Sequence, residues 1–201
     1  MKNLSSLLFL ALLLLFLISC GNEPAIITDT SDIEITAVET ENPNDGNTAI
    51  YDVDADDPYL LSNGYFLGMK PGESLTGFVD VLREGELKTG EGEFPVFYID
   101  GAEGDELGYV YSREGTAGAI DEITITSPKV VTEEGVRVGL SFNELTQRLG
   151  EPEVFASEIE SRVYATQDGI TYRLATNGKP GKTTAEDIEG DVEVMQIILG
   201  F

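Results

Sequence analysis

Thirty-seven carboxylates against twelve cations, one cysteine and no histidine limit the chemistry open to this chain of 201 residues. Without histidine the commonest general base and the commonest zinc ligand are both missing. Ser127 and Ser141 have no imidazole to activate them, and Ser141 has another task at a helix start. Cys20 stands alone, so no disulfide can close within one chain. The carboxylates come in pairs, as at Asp121-Glu122, Glu133-Glu134 and Glu158-Glu160. A glycosidase sets two such groups about 5–10 Å apart across a sugar cleft. Those clefts use stacking aromatics, and this chain has no tryptophan. Tyr98, Tyr109, Tyr111, Tyr164 and Tyr172 fall at strand positions, where aromatic rings suit a half-buried pleated surface. A ligand platform is their second reading.

Two stretches invite an ion or a phosphate. Asp52, Asp54 and Asp56 alternate as calcium ligands do, but Asp57 takes the sixth place, where the loop needs Gly, and Asn63 the twelfth, where it needs Glu. A solvated acidic segment is the preferred reading. Gly181-Lys182-Thr183 matches the end of a phosphate loop. The upstream glycine is replaced by Thr176, and no apolar strand leads into a helix there. Residues 178–184 therefore read as a hairpin loop with two lysines. The sequence predicts no catalytic residue, no metal ligand and no cofactor.

The chain opens with Met1-Lys2-Asn3, and a nearly unbroken apolar run follows from Leu7 to Ile18. The run is short of the roughly 20 residues of a membrane span and has the layout of a secretory signal peptide. Leu17-Ile18-Ser19-Cys20 resembles the bacterial lipobox. That resemblance implies cleavage before Cys20, lipidation of its thiol and acylation of its new amine. Several acyl chains on one residue hold a protein on a bilayer stably, where one chain is marginal. Gly21 follows the cysteine where an Asp would signal inner-membrane retention, which tilts the anchor towards the outer membrane.

From Cys20 to about Asp57 there is no Lys or Arg, and acids recur among Thr, Asn, Pro and Gly. Same-sign charge with few aromatics predicts a flexible, self-repelling tether. The formal net charge of −25 argues against nucleic acid, whose phosphates need cations. The expected organisation is a signal peptide over 1–19, a lipidated tether over 20–60 and a globular α+β domain over 61–201.

Within that domain one plan is written twice, over about 64–128 and 136–201. The first copy has Leu75, Phe78, Val79 and Leu82 at helical spacing, then strands over 94–99, 107–112 and 120–126. The second has Phe142, Leu145 and Leu149, then strands over 162–167, 170–176 and 192–199. Gly68 and Gly139, Tyr98 and Tyr164, and Ile123 and Met195 correspond, each about 70 residues apart. Ser141 and Glu144 form a capping box, Gly150 can end the helix and Pro152 stops its continuation. Leu107, Tyr109 and Tyr111 alternate with Gly108, Val110 and Ser112, as do Ile123 and Ile125 with Thr124 and Thr126. Alternation predicts antiparallel strands with one face packed. Each copy thus reads as a short helix packed on antiparallel strands.

Ile120-Asp121-Glu122-Ile123-Thr124-Ile125-Thr126-Ser127-Pro128, with Thr132 to Gly139 and Phe142-Asn143-Glu144-Leu145, resembles the YfeY-like family of bacterial envelope lipoproteins, whose function is uncharacterised. The likeness covers about residues 64–176 and rests on apolar positions, glycines and the Ser-Pro step. The Gly-led helix start with Leu149-Gly150-Glu151-Pro152 is similar to the BamE and beta-lactamase-inhibitor-like fold, in which helices pack on an antiparallel sheet. That resemblance implies a binding scaffold and carries over no catalytic residue.

The expectation is a non-enzymatic binding or scaffold module, held on the membrane through Cys20. Its partner is another envelope protein or a cell-wall component. Two alternatives stand beside it: an ion-binding module using the acidic tether, and a carboxylate-dependent glycan hydrolase. Glu158 and Asp187 are expected in solvated loops.

Overall fold

The computed structural model describes residues 53–90 and 92–201. The signal peptide, Cys20 and the tether up to Asp52 lie outside the described residues. In chain order the elements are β1 (Leu60–Leu61), β2 (Arg83–Thr89), β3 (Gly92–Asp100), β4 (Glu106–Tyr111), β5 (Glu122–Ile125), β6 (Val131–Thr132), α1 (Phe142–Leu149), β7 (Glu153–Ala156), β8 (Arg162–Gln167), β9 (Ile170–Asn177) and β10 (Val194–Leu199). Eight strands form one antiparallel sheet in the order β2-β3-β4-β5-β10-β9-β8-β7. β1 and β6 make a separate parallel pair. With one α-helix beside this sheet among the described residues, the fold is α+β.

The sheet consists of two four-stranded meanders joined at their last strands. β5 and β10 pair antiparallel, with Ile125 opposite Ile197 and Ile123 opposite Leu199. The strand order is the same in each half, and each has one strand more than the apolar pattern predicts. The additional strands, β2 and β7, are the two edges of the sheet.

The helical elements differ between the halves. α1 has its capping box in full. Ser141 Oγ accepts from the Glu144 N–H, and Glu144 Oε2 accepts from the Ser141 N–H at 3.0 Å. Gly150 follows at φ 84°, a left-handed angle that favours glycine. The helix predicted in the first half is instead a single 3-10 turn, Leu75–Gly77, capped by Ser74. Its backbone is taken by tertiary pairing: Leu75 N–H donates to the Gly118 carbonyl, and Ile120 N–H to that of Glu73. Leu75 is buried all the same, and Phe78, Val79 and Leu82 pack against the core part-buried.

One face of the sheet carries the core. Phe97, Ile99, Val110, Ile123, Ile125, Tyr172, Leu174 and Ile197 point into it. Phe142, Leu145 and Leu149 of α1 close it from outside, with Leu61, Phe66, Met69 and Leu75 from the N-terminal segment. Leu107 departs from the predicted alternation. The register skips it, pairing Ile99 with Gly108 and Asp100 with Glu106. This bulge turns Leu107 from the tyrosine side into the core, where it is fully buried.

The folded body also takes in Tyr59 and Leu60, which the charge pattern places in the tether. Leu60 pairs with Val131, and the Tyr59 hydroxyl accepts from the Ala102 N–H. Asp187 is exposed between β9 and β10, as expected, and there it also caps a turn. Its Oδ2 accepts from Thr184 N–H at 2.9 Å and from Thr184 Oγ1 at 3.0 Å, closing the 3-10 turn Ala185–Asp187. These bonds hold its carboxyl below the usual carboxylate range.

Candidate functional site: the open face of the sheet

Side chains alternate across each strand, so the residues between the core positions share the opposite face. In the first meander Tyr98, Tyr109 and Thr124 lie side by side on β3, β4 and β5. In the second, Tyr164, Arg173 and Gln196 lie side by side on β8, β9 and β10. The seam between β5 and β10 brings the two rows together. Among the described residues, the buried side chains of α1, of the Leu75 turn and of Leu61 belong to the core on the other side.

The result is a continuous band across the sheet. At one end Arg83 lies over the Tyr98 ring, 4.6 Å from its centroid, and binds Asp100 through two nitrogens at 2.8 and 2.9 Å. That ion pair holds the Asp100 carboxyl below its usual range. Tyr98 meets Tyr109 edge-on, with centroids 6.5 Å apart. The Tyr109 hydroxyl is set towards Thr124 and Gln196, and Arg173 Nη1 donates to Gln196 Oε1 at 3.2 Å. At the far end Tyr164 stacks with Phe155 at 5.6 Å and meets Phe201 at 4.6 Å. Rings therefore flank a polar centre of Tyr109, Glu122, Thr124, Arg173 and Gln196.

That centre is crowded. Thr124 is 1% exposed although it faces away from the core, and Arg173 Nε is buried without a hydrogen-bond partner. Burial pushes the Glu122 carboxyl above its usual range, against a hydrogen bond from Thr124 Oγ1 that pulls it down. Burial also raises the Tyr109 hydroxyl. A buried donor without a partner costs about 1–3 kcal/mol. Arg173 Nε thus stands as an unpaired buried donor, and Glu122 as a carboxyl that burial holds toward its protonated form.

Glu122 gives a test by pH. Its folded-state pKa is raised, so the protonated carboxyl favours folding. This contribution is present below the unfolded pKa and is lost as pH rises through the folded one. Glu122→Gln is expected to raise the unfolding temperature at pH ~8 and to change it little at pH ~4. Thermal melts of both proteins across that range check the sign; an equal shift at both ends would show that the carboxyl ionises freely.

The other residues singled out by sequence are dispersed. Each adjacent acid pair splits up. Asp121 accepts from the Arg113 N–H at 2.6 Å, while Glu122 faces the band. Glu133 accepts from Ser62 Oγ at 2.7 Å and ties down the N-terminal turn. Glu160 pairs with Arg162, and Glu158 is exposed. Tyr98, Tyr109, Tyr111 and Tyr164 share the band's face, whereas Tyr172 points into the core. Ser127 is buried and accepts from the Lys129 N–H. Asp54 Oδ1 accepts from the Asp56 N–H in a local turn, and Asp52 lies outside the described residues. In residues 178–184, Thr183 Oγ1 accepts from the Lys179 N–H, a bond internal to the loop. Among the described residues, no three His, Cys, Asp or Glu side chains converge as a metal site would require. Sequence reasoning missed Arg173, Gln196 and the burial of Glu122. The available signal was the polar side chains that alternate with core residues, Arg173 between Tyr172 and Leu174 on β9 and Gln196 beside Ile197 on β10.

No family model matches the chain, and no curated protein matches it. Among solved structures it is similar to the uncharacterized protein yfeY from Escherichia coli, at 16% identity and a TM-score of 0.45, over 65% of this chain and 92% of that one.

Proposed function

We propose that this chain is a lipid-anchored envelope protein whose open sheet face binds a partner, with Cys20 as the point of attachment. The band from Arg83 to Phe201 carries the reading. It joins aromatic area, which supplies contact at low entropic cost, to a few convergent polar groups that fix orientation. Such a face suits another envelope protein or a cell-wall component. A hydrolase would need a second carboxylate set against Glu122, and the neighbours of Glu122 are Tyr109, Tyr111 and Thr124. That surrounding favours recognition over bond cleavage. A photo-crosslinking residue placed at Tyr111 in intact cells reports what occupies the face.

The anchor has its own test. Cys20→Ala is expected to abolish incorporation of a fatty-acid probe and to release the chain from the membrane fraction. Label that persists on the variant would end the lipoprotein reading.

A further inference from the structure

The two edges of the sheet differ in a way that names a ligand. β2 carries four charged residues among its seven, a common guard against edge pairing. β7, Glu-Val-Phe-Ala, carries one. Beside β7 stand the two most exposed large apolar residues of this half, Ile159 at 88% and Phe201 at 60%. They border a hollow of about 360 Å³, lined also by Ser157, Glu158, Glu160 and Tyr164. Ser157 Oγ is buried there without a hydrogen-bond partner. Ser157 N–H donates to the Arg162 carbonyl on the β8 side. By alternation, the backbone groups of Val154 and Ala156 point away from β8. The turn Ala185–Asp187 comes near β7 but keeps its hydrogen bonds internal and does not pair with the Val154 and Ala156 backbone. The rim is acidic: Glu153 and Glu158 are exposed, and Glu160 is matched by Arg162.

We propose that the β7 edge receives an extended segment of a partner protein, basic in character, which adds along β7 as a strand. The segment seats one bulky aliphatic side chain against Ile159 and Phe201. Backbone pairing supplies affinity in this mode, and the side-chain hollow supplies specificity. Lys or Arg residues flanking the aliphatic group meet Glu153 and Glu158. A second copy of this chain is disfavoured, because its β7 rim carries the same exposed acids, Glu153 and Glu158. The proposal rests on the binding reading above but uses the end of the band rather than its polar centre.

The test uses the full chain and a blocked peptide, Thr-Lys-Thr-Leu-Thr-Lys-Thr. Its comparison peptides carry glutamate for both lysines, or proline at the two threonines beside leucine. Backbone amide shifts should change saturably at residues 153–160 and at Phe201. The glutamate peptide should bind about tenfold more weakly at low salt, and the proline peptide should lose binding. Ile159→Ser should weaken the first peptide as well. Absent binding, equal affinity for the lysine and glutamate peptides, or shifts elsewhere would overturn the proposal. So would shifts of the same amides with protein concentration alone, which assign the edge to a second copy, or with anionic vesicles alone, which assign it to lipid. A partner captured from Tyr111 while the peptide fails would leave the proposed function standing and remove this inference.

Discussion

Leu145→Ala is expected to lower the unfolding free energy by ~2–5 kcal/mol, the range for emptying a large core position. Leu145 is fully buried at the centre of α1, between Phe142 and Leu149 on the same face. An eight-residue helix is far below the length that holds by itself in water. Its capping box satisfies two end groups, but the apolar face must supply the rest. Truncating the middle residue leaves a cavity against the sheet and loosens the lid of the core. A domain of this size has about 5–15 kcal/mol in total, so the variant should melt early. Urea unfolding should show a lower midpoint with an unchanged slope. A loss below ~1 kcal/mol would mean that the helix is not seated on the sheet.

Gly108→Val is expected to be at least as damaging. Gly108 on β4 sits opposite Ile125 on β5, beside the bulge at Leu107. A Cβ at this glycine would run into the Thr124 carbonyl and come within 2.9 Å of the Ile125 Cα. Both obstacles are backbone, so no rotamer change relieves them. Overpacking usually costs about 1–3 kcal/mol, and more where the main chain must move. β5 is also the strand that joins the two meanders through β10, so a displaced β5 should weaken both halves. Hydrogen exchange checks this. Amides of β5 and β10 should lose protection together, and unchanged protection would contradict the β4–β5 register.

What could be read from the chain follows from how local each signal is. α1 was legible because Ser141, Glu144, Gly150 and Pro152 mark its ends within a few residues. Six strands were legible, β4 and β5 by alternation and the others as apolar runs between turn residues. β2 was not, because four of its seven residues are charged and both its faces are largely exposed. The spacing of Leu75, Phe78, Val79 and Leu82 mimicked a helix. Its first turn is instead drawn into pairing with residues 116–120, contacts 40 or more residues away that no local pattern carries. The tyrosines were legible as strand residues, but their common face was not. Leu107 appeared to share it until the bulge removed it. Arg173 and Gln196 join the site only because β9 and β10 bring them beside β5, which is a matter of sheet order.

The most direct test of the central claim places benzoylphenylalanine at Tyr111, on the band, and at Gln147, exposed on α1. Both variants are irradiated in intact cells. A partner bound to the open face should yield a discrete adduct from position 111 and none from position 147. Adducts from 147 alone, or none from 111, would contradict the account, since the sheet face would then be empty where the protein works.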